Sequence, residues 1–433
     1  MLKRGFFVVL AVFLVLAGCS SAGKGSSGAQ ESENKPPALS TEPVTIRATN
    51  DGGTVINDSF VQLIQEQVHK KYPNITFEYF LPPQGENVEK MVARGDVPDI
   101  IFTFSGRLQP YKAFDLIFDM TPLIKQNNID LNRFAPDQLE LVQRASNPGE
   151  LNAVPVFKKF YALYYNKDLF DKFGAPYPKD GMLMDEVLEL TRRVSRVENG
   201  VQYRGLDPGS VVVWLAQPLN LFPVSADNKA TINTEPWKKM FEYAKRIYDI
   251  PGNEFSNTSG KNQFIKDQRL AMLLHQNLVE ELDAAAAQGL NWDMAQYPSF
   301  PEAPGIYPAA SAEVMMITKG SKHKEHAMQV INAVISDEVQ TIKTRQGLVT
   351  ALKNPDIQKV FGADLKNSAG KNLQSAFKGK SVGDAPNSPF RQQAEGIVRD
   401  KFRNYISGQA DVNTILRQAE EEINKLIAES QAK

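Results

Sequence analysis

The segment VTIRA (residues 44–48) alternates apolar and polar side chains, and this period of two predicts a β-strand. The turn-forming residues NDGG (50–53) follow directly. A helix comes next, with Asp58 as the expected N-terminal cap. Its apolar residues recur at helical spacing and share one face: Phe60, Val61, Leu63, Ile64 and Val68.

The same order of elements then repeats. ITFEY (75–79) is a second alternating segment, a helix is expected from about Glu86 to Arg94, and an apolar strand runs from Asp99 to Phe104. The resulting β-α-β-α-β order predicts an α/β fold with a mostly parallel, doubly wound sheet.

Further along the chain, strands are predicted at 161–165 and 270–274. Pro236 stands at the expected start of a helix, and Asp411 is expected to cap the last helix. Length and composition agree with this picture. The 433 residues are enough for two or three domains.

Charge and hydropathy exclude two classes of protein. The net charge is −1 and no stripe of Lys and Arg exists, so no nucleic acid is expected as a partner. The mean hydropathy of −0.33 argues against a polytopic membrane protein.

The N-terminus has the pattern of an export signal. Lys3 and Arg4 precede an apolar run from Phe6 to Ala17, which is shorter than the ~20 residues of a membrane-spanning helix. We expect residues 1–18 to be a signal peptide. The motif LAGC (16–19) resembles the bacterial lipobox, which implies that Cys19 is lipidated. A buried structural thiol is the alternative reading of this single cysteine, and the adjoining Gly/Ser tract disfavours it.

Residues 19–43 are rich in Ser, Gly, Lys, Glu, Asn and Pro and poor in large apolar side chains. Such a segment buries too little surface to fold, so it is expected to be a flexible linker. Together with Cys19 it predicts a protein held by lipid, such as palmitate, on the extracytoplasmic face of the cell membrane.

Four passages are informative through their order and spacing: KKYPNI (70–75), GDVPDII (95–101), VP (154–155) with LYYNKDLF (163–170), and FIKDQRLAM (264–272) with MMITK (315–319). Together they resemble the maltose-binding-protein-like extracellular solute-binding proteins of bacterial ABC importers. The lipid anchor fits the Gram-positive members of that family.

The resemblance implies a periplasmic-binding-protein-like fold with two doubly wound α/β lobes joined by a multi-strand hinge. By analogy, lobe 1 comprises residues 44–157 and 305–348, and lobe 2 comprises 158–304 and 349–433. The implied partners are a small-molecule solute held between the lobes and the transmembrane subunits of an ABC permease. A monomer without a cofactor is expected.

Ligands of open parallel sheets bind beyond the carboxyl ends of strands. Asn50 and Asp51 follow the first predicted strand, although they also suit a plain turn. Thr103, Ser105 and Arg107 lie at the end of the strand that begins at Asp99. Arg107 offers a planar set of donors, but a surface arginine is equally common.

A second group of candidates lies in the hinge and the second lobe. Lys159 falls where the family contacts its ligand. Trp214 is a candidate for stacking on a sugar, with core packing as the rival interpretation. Gln276 and Asn277 follow a strand, and Tyr307 lies near a hinge crossing. Of the other two tryptophans, Trp237 is expected in the core, and the place of Trp292 is left open.

Two motifs could indicate a metal site or a catalytic nucleophile, and their sequence context disfavours both. His323 and His326 are three residues apart, but flanking lysines disfavour a metal. The G-x-S-x-G match at 379–383 lacks the strand and helix of a nucleophile elbow and is expected to be a loop.

A reversible solute receptor is therefore the expected function, and no enzymatic activity is expected. A lipid-anchored carbohydrate-active enzyme remains an alternative, with Asp51, Asp99, Glu281 and Asp293 as possible paired carboxylates. A surface adhesin or sensor is the third hypothesis. Because the sequence contains no dense arginine cluster, the expected solute is a neutral or weakly acidic oligosaccharide.

Overall fold

A computed structural model describes residues 39–52, 56–84, 86–383 and 385–431. The predicted signal peptide, the Cys19 lipidation site and linker residues 19–38 lie outside these ranges. The end of the predicted linker is described and contacts the folded part, since Asn74 Nδ2 donates to the carbonyl oxygens of Ser40 and Glu42 at 3.1 and 3.0 Å.

The strands are β1 (Val44–Asn50), β2 (Ile75–Phe80), β3 (Ile100–Phe104), β4 (Val154–Lys158), β5 (Tyr161–Asn166), β6 (Arg196–Glu198), β7 (Val201–Asp207), β8 (Leu270–Gln276), β9 (Trp292–Gln296), β10 (Ile306–Tyr307), β11 (Ala312–Ile317), β12 (Val349–Thr350) and β13 (Lys380–Ser381).

The α-helices are α1 (Asp58–His69), α2 (Val88–Ala93), α3 (Leu108–Ala113), α4 (Thr121–Gln126), α5 (Pro136–Ala145), α6 (Lys167–Phe173), α7 (Met184–Val194), α8 (Val213–Ala216), α9 (Glu235–Tyr248), α10 (Gly260–Ile265), α11 (Val279–Ala286), α12 (Lys324–Val334), α13 (Asp337–Arg345), α14 (Pro355–Lys359), α15 (Arg391–Ile406) and α16 (Val412–Gln431). Short 3₁₀ turns lie at Ser105–Arg107, Leu131–Arg133, Gln217–Leu219 and Leu373–Phe377.

Two mixed sheets organise these elements. The first has the strand order β12-β4-β11-β3-β1-β2, and the second has the order β6-β7-β8-β5-β9. Strands β1, β2 and β3 pair in parallel, as the β-α-β-α-β order predicted. Strand β11 inserts antiparallel between β3 and β4, which returns the chain to the first sheet after it has built the second.

The chain passes between the sheets more than once. β4 belongs to the first sheet and β5 to the second, with Lys159 and Phe160 as the link. The return lies between β9 and β11, within residues 297–311, and β12 closes the edge of the first sheet. The exact lobe boundaries drawn from the sequence remain a prediction.

Each sheet has its own core. β5 is buried along its whole length, and its side chains alternate between two apolar clusters. Leu163 packs on one face of the second sheet, whereas Tyr164 packs on the other. Trp237, on α9, is buried in the first of these clusters, as predicted.

Some local predictions need correction. Asn57, not Asp58, caps α1, because its side chain accepts a hydrogen bond from the Phe60 amide. The 379–383 segment contains the short strand β13, which pairs with β10, rather than being a loop throughout. The cap of α16 is Asp411, as expected, with its carboxylate accepting from the Asn413 amide at 2.9 Å.

Within the described ranges, no helix combines the length and the apolar character that a membrane crossing needs.

Candidate ligand-binding cleft

A cavity of about 680 Å³ separates the end of β1 from the end of β8. Gly52 lies on the first side, and Gln276 and Asn277 lie on the second. Glu313 on β11 and Lys159 in the link between the sheets also line it. The ends of strands from both sheets thus meet at one space, as the rule for open α/β sheets requires. This cavity is called the hinge cavity below.

A second cavity of about 350 Å³ adjoins the first, because Lys261 and His275 line both. Its walls come from the second sheet and its helices. They include Asp207 at the end of β7, Trp214 on α8, and Arg399 and Arg403 on α15. This space is called the Trp214 cavity. Each cavity has the size of a small-molecule site.

Aromatic rings form the wall of the Trp214 cavity. Trp214 is partly buried and meets Tyr161 edge to face, with centroids 5.0 Å apart and planes at 83°. It meets His275 in the same way at 5.5 Å. Burial lowers the pKa of His275, which favours the neutral ring. Trp214 therefore packs against the core on one side and lines the cavity on the other. Trp292, in contrast, is fully buried.

The loop before α8 is shaped to hold this indole. Gly209 has φ +78°, and a Cβ atom there would lie 2.5 Å from Trp214 Cε3 and from the Leu274 carbonyl oxygen. Only glycine fits both the backbone conformation and the contact. Val211, two residues on, has φ 52°, which is strained for a β-branched side chain. Strained backbone of this kind is found where surrounding structure enforces a geometry.

Polar side chains lie beside the aromatic wall. Gln276 Nε2 donates to the Tyr161 hydroxyl at 2.8 Å, and Gln217 Nε2 donates to Glu395 Oε1 at 3.2 Å. Burial raises the pKa of Tyr161, and it also raises the pKa of Glu395. Asn277 Nδ2 donates to the Gly347 carbonyl at 2.8 Å, which joins the end of β8 to the segment before β12.

Lys159 makes two contacts at the hinge cavity. Its Nζ lies 3.4 Å from Glu313 Oε1 and 5.2 Å from the centre of the Phe104 ring. Glu313 is buried, and this burial raises the pKa of its carboxyl group against the opposing effect of Lys159.

The predicted candidates after β1 and β3 mostly bind one another. Arg107 donates to the Asp51 carboxylate through Nε at 2.9 Å, and it also pairs with Glu89 at 2.7 Å. The Thr103 hydroxyl donates to the Asp51 carbonyl at 2.7 Å and is buried. Tyr111 completes the cluster by donating to Asp51. The structure therefore brings these residues together as an ion-pair network within the first lobe.

The remaining candidates occupy separate places. Asn50 ends β1 opposite Phe102 of β3. Ser105 is buried and lines a small cavity of about 60 Å³ together with Arg391. Tyr307 is buried, with its ring centroid 6.0 Å from that of Tyr161. The structure thus places Lys159, Gln276 and Asn277 at the hinge cavity, and Trp214 at its neighbour.

Helix α15 supplies site residues that the sequence reasoning missed. Arg399 and Arg403 line the Trp214 cavity. Because they are four residues apart, they share one face of the helix. The sequence spacing alone indicates that these side chains share a helix face. Whether that face points to the cavity depends on tertiary packing. Asp207 and Lys261 were likewise not singled out.

The carboxylates considered for catalysis have other partners. Asp99 accepts hydrogen bonds from the Ser321 hydroxyl and the Arg47 amide. Glu281 pairs with Lys261 at 2.9 Å. Asp293 accepts from the Asn372 amide at 2.8 Å. Asp51 is held by Arg107. Among the described residues, no group of three or more His, Cys, Asp or Glu is arranged to hold a metal ion.

Comparison with known proteins settles the family. The family model of the bacterial extracellular solute-binding proteins matches residues 53–341, which is well over half of the chain. The chain belongs to the bacterial extracellular solute-binding proteins. Members of this family bind solutes rather than transform them, in agreement with the prediction that the chain is not an enzyme.

Solved structures share the two-lobed fold. An ABC substrate-binding protein from Listeria monocytogenes in complex with cycloalternan has a TM-score of 0.76 at 16% identity, covering 89% of this chain and 100% of its own. A solute-binding protein from Thermotoga lettingae bound with α-D-tagatose gives 0.70 at 18%, covering 88% and 99%. The sugar-binding protein MalE from Xanthomonas citri gives 0.69 at 17%, covering 90% and 98%.

Proposed function

We propose that this solute-binding protein captures an oligosaccharide in the two adjoining cavities and presents it to the transmembrane subunits of an ABC permease. The proposal rests mainly on the position of Trp214. Its partly buried indole lines a cavity that also contains polar side chains and lies at the ends of strands. The C–H faces of a sugar ring stack on aromatic rings, while its hydroxyls need fixed polar partners.

Hydrogen-bonding groups line both cavities. Gln276 and Asn277 lie at one cavity, and Ser210 and Asp207 lie at the other. The sugars bound by the structurally similar proteins support the choice of ligand class. Lys159, Gln276, Asn277 and Trp214 are the residues that we assign to ligand contact.

The hinge supports capture by closure of the two lobes. The lobes are joined by short links such as Lys159 and Phe160, and few residues need to change their backbone angles for the lobes to rotate. In this proposal, the protein acts as a monomer whose two lobes, each built around one of the two sheets, close on the sugar.

Fluorescence titration tests the binding site. Trp214 is partly exposed, whereas Trp237 and Trp292 are at most 1% exposed, so ligand-dependent emission should come mainly from Trp214. The intact chain should show saturable quenching or a shift with one class of oligosaccharide, together with a higher melting temperature. The sugar should be recovered unchanged.

Trp214→Phe keeps an aromatic surface and should remove the spectral change while retaining most of the thermal shift. Trp214→Ala should remove both. If a saturating sugar raises the melting temperature equally in Trp214→Ala and in the unsubstituted protein, the assignment of Trp214 is wrong.

The membrane anchor is a separate proposal, which rests on the lipobox-like LAGC (16–19). Lipid on Cys19 would hold the protein on the extracytoplasmic face of the cell membrane. Cys19→Ser should release the protein from the membrane fraction and abolish incorporation of a labelled fatty acid. Retention of Cys19→Ser in the membrane fraction would argue against this anchor.

A further inference from the structure

Basic side chains from distant parts of the sequence meet at the Trp214 cavity. Lys261, Arg399 and Arg403 line it, and Asp207 is the one carboxylate among its described lining residues. Lys261 lies at the start of α10, whereas the two arginines lie one turn apart on α15. The folding of the chain therefore brings these basic side chains to one cavity, where they outnumber the carboxylates. The sequence itself shows no cluster of arginines.

The charge of Asp207 is balanced from behind the cavity wall. Arg204 is only 4% exposed, and its Nη1 lies 3.3 Å from Asp207 Oδ2. Asp207 also accepts from the Gly209 amide at 2.9 Å. The Nε and Nη2 atoms of Arg204 are buried without a hydrogen-bond partner in the described part of the chain. Because Arg204 offsets the charge of Asp207, the positive charges of Arg399 and Arg403 at the cavity are not offset by that carboxylate.

Three further carboxylates stand near the cations, and none lines the cavity. Glu281 binds Lys261 at 2.9 Å from the side of the hinge cavity. Asp400 pairs with Arg403 at 2.8 Å, but both side chains are about half exposed or more, and such surface pairs are weak. Glu395 precedes Arg399 by one helical turn, and its carboxylate accepts a hydrogen bond from Gln217 Nε2 at 3.2 Å.

Arg399 is the best placed of these cations. Its Nη1 donates to Ser210 Oγ at 3.4 Å, a long contact that leaves most of its five donors available. The planar guanidinium fork matches a carboxylate in a bidentate arrangement. Trp214 lines the same cavity, so a sugar stacked on the indole would occupy the space that Arg399 also borders.

We propose that the solute is an acidic oligosaccharide, and that Arg399, assisted by Arg403, binds the anionic group of a sugar unit in the Trp214 cavity. This inference rests on the proposed function, and it narrows the solute from oligosaccharides in general to those that carry a uronic acid carboxylate. A sulfate ester offers the same negative charge, but it holds that charge farther from the sugar ring, beyond the ester oxygen.

Isothermal titration of the intact chain tests the proposal. The probes are uronic-acid disaccharides of several linkages, their neutral counterparts with the carboxylate reduced to the alcohol, and sulfated neutral disaccharides. The matching uronate should bind at least about ten times more tightly than its neutral counterpart, and its affinity should fall as salt rises. The sulfated sugar should bind between the two.

The Arg399→Gln variant should lower the affinity for the uronate about tenfold and lower the affinity for the neutral sugar by a much smaller factor. Arg399→Lys should retain part of the affinity for the uronate, because lysine keeps the positive charge but lacks the planar guanidinium. Arg417→Gln is the control, since Arg417 is an exposed residue of α16 that pairs with Glu421 and does not line the cavity.

The outcomes separate the two proposals. Equal affinity for the uronate and its neutral counterpart, or tighter binding of the neutral sugar, would overturn the acidic-ligand inference and leave the oligosaccharide receptor intact. An equal fold-loss of affinity for the uronate and for the neutral sugar in Arg399→Gln would also overturn it. If neither acidic nor neutral sugars bind, the proposed function itself fails.

Discussion

The ammonium group of Lys159 lies 3.4 Å from the carboxylate of Glu313, where the chain passes from the first sheet to the second. Lys159 belongs to the link between β4 and β5, and Glu313 belongs to the returning strand β11. Two crossings of the hinge are thus joined by one ion pair. Both residues also line the hinge cavity, so this ion pair lies at the link between the sheets and at the candidate ligand site.

Glu313→Gln should change how stability depends on pH. Burial raises the pKa of Glu313 above the value of about 4.3 for an exposed glutamate. Between those two values the folded state holds more protons than the unfolded state, so the free energy of unfolding falls as pH rises. The Glu313→Gln variant should lack this decline in the free energy of unfolding. The decline amounts to about 1.4 kcal/mol for each pH unit between the pKa of Glu313 in the folded state and its pKa in the unfolded state.

Urea unfolding of both proteins at several pH values, from about 4 to 8, measures this difference. Glu302→Gln provides the control, because Glu302 is exposed and does not line the hinge cavity. Parallel curves for Glu313→Gln and the unsubstituted protein would show that Glu313 does not titrate in this range.

Gly209→Ala should disturb both stability and ligand binding. The new methyl group would require φ +78° and would collide with the indole of Trp214. We expect a loss of about 2–4 kcal/mol from strain and displacement together. Gly149→Ala is the matched control, because Gly149 has φ +80° and no atom within 4 Å of the added Cβ.

The comparison isolates the contact from the backbone conformation. Thermal unfolding and Trp214 fluorescence of the two variants give the readout. Equal losses of stability, with unchanged sugar affinity in both, would show that the indole does not depend on Gly209.

Arg107→Met should destabilise the first lobe, because it leaves the partly buried carboxylates of Asp51 and Glu89 without their shared cation. We expect a loss of about 2–4 kcal/mol, by analogy with broken buried ion pairs. Arg417→Met, which breaks an exposed pair, should cost less than about 1 kcal/mol.

Sugar affinity of the same variant decides between two roles for Asp51 and Arg107. If their network is structural, Arg107→Met binds sugar with nearly unchanged affinity at a temperature where it is folded. A large loss of affinity without loss of stability would instead assign these residues to the ligand, as the sequence interpretation proposed.

Local patterns in the sequence were sufficient for the first strands and the first helix of the first lobe. The period of two in VTIRA and ITFEY corresponds to β1 and β2, and the apolar face beginning at Phe60 corresponds to α1. These patterns depend on residues a few positions apart, so they can be recognised without the fold. Local patterns did not identify the N-terminal cap of α1, which is Asn57 rather than the neighbouring Asp58.

The sequence by itself determined the family and the α/β character, because ordered short passages and hydrophobic periodicity are local properties of the chain. The tertiary structure alone decided that Asp51 and Arg107 bind each other. It also brought Lys261 and Arg399 to one cavity with Trp214. Charge and hydrogen-bond partners act over a few ångströms in space, and residues separated by more than a hundred positions become neighbours only when the sheets and helices have packed.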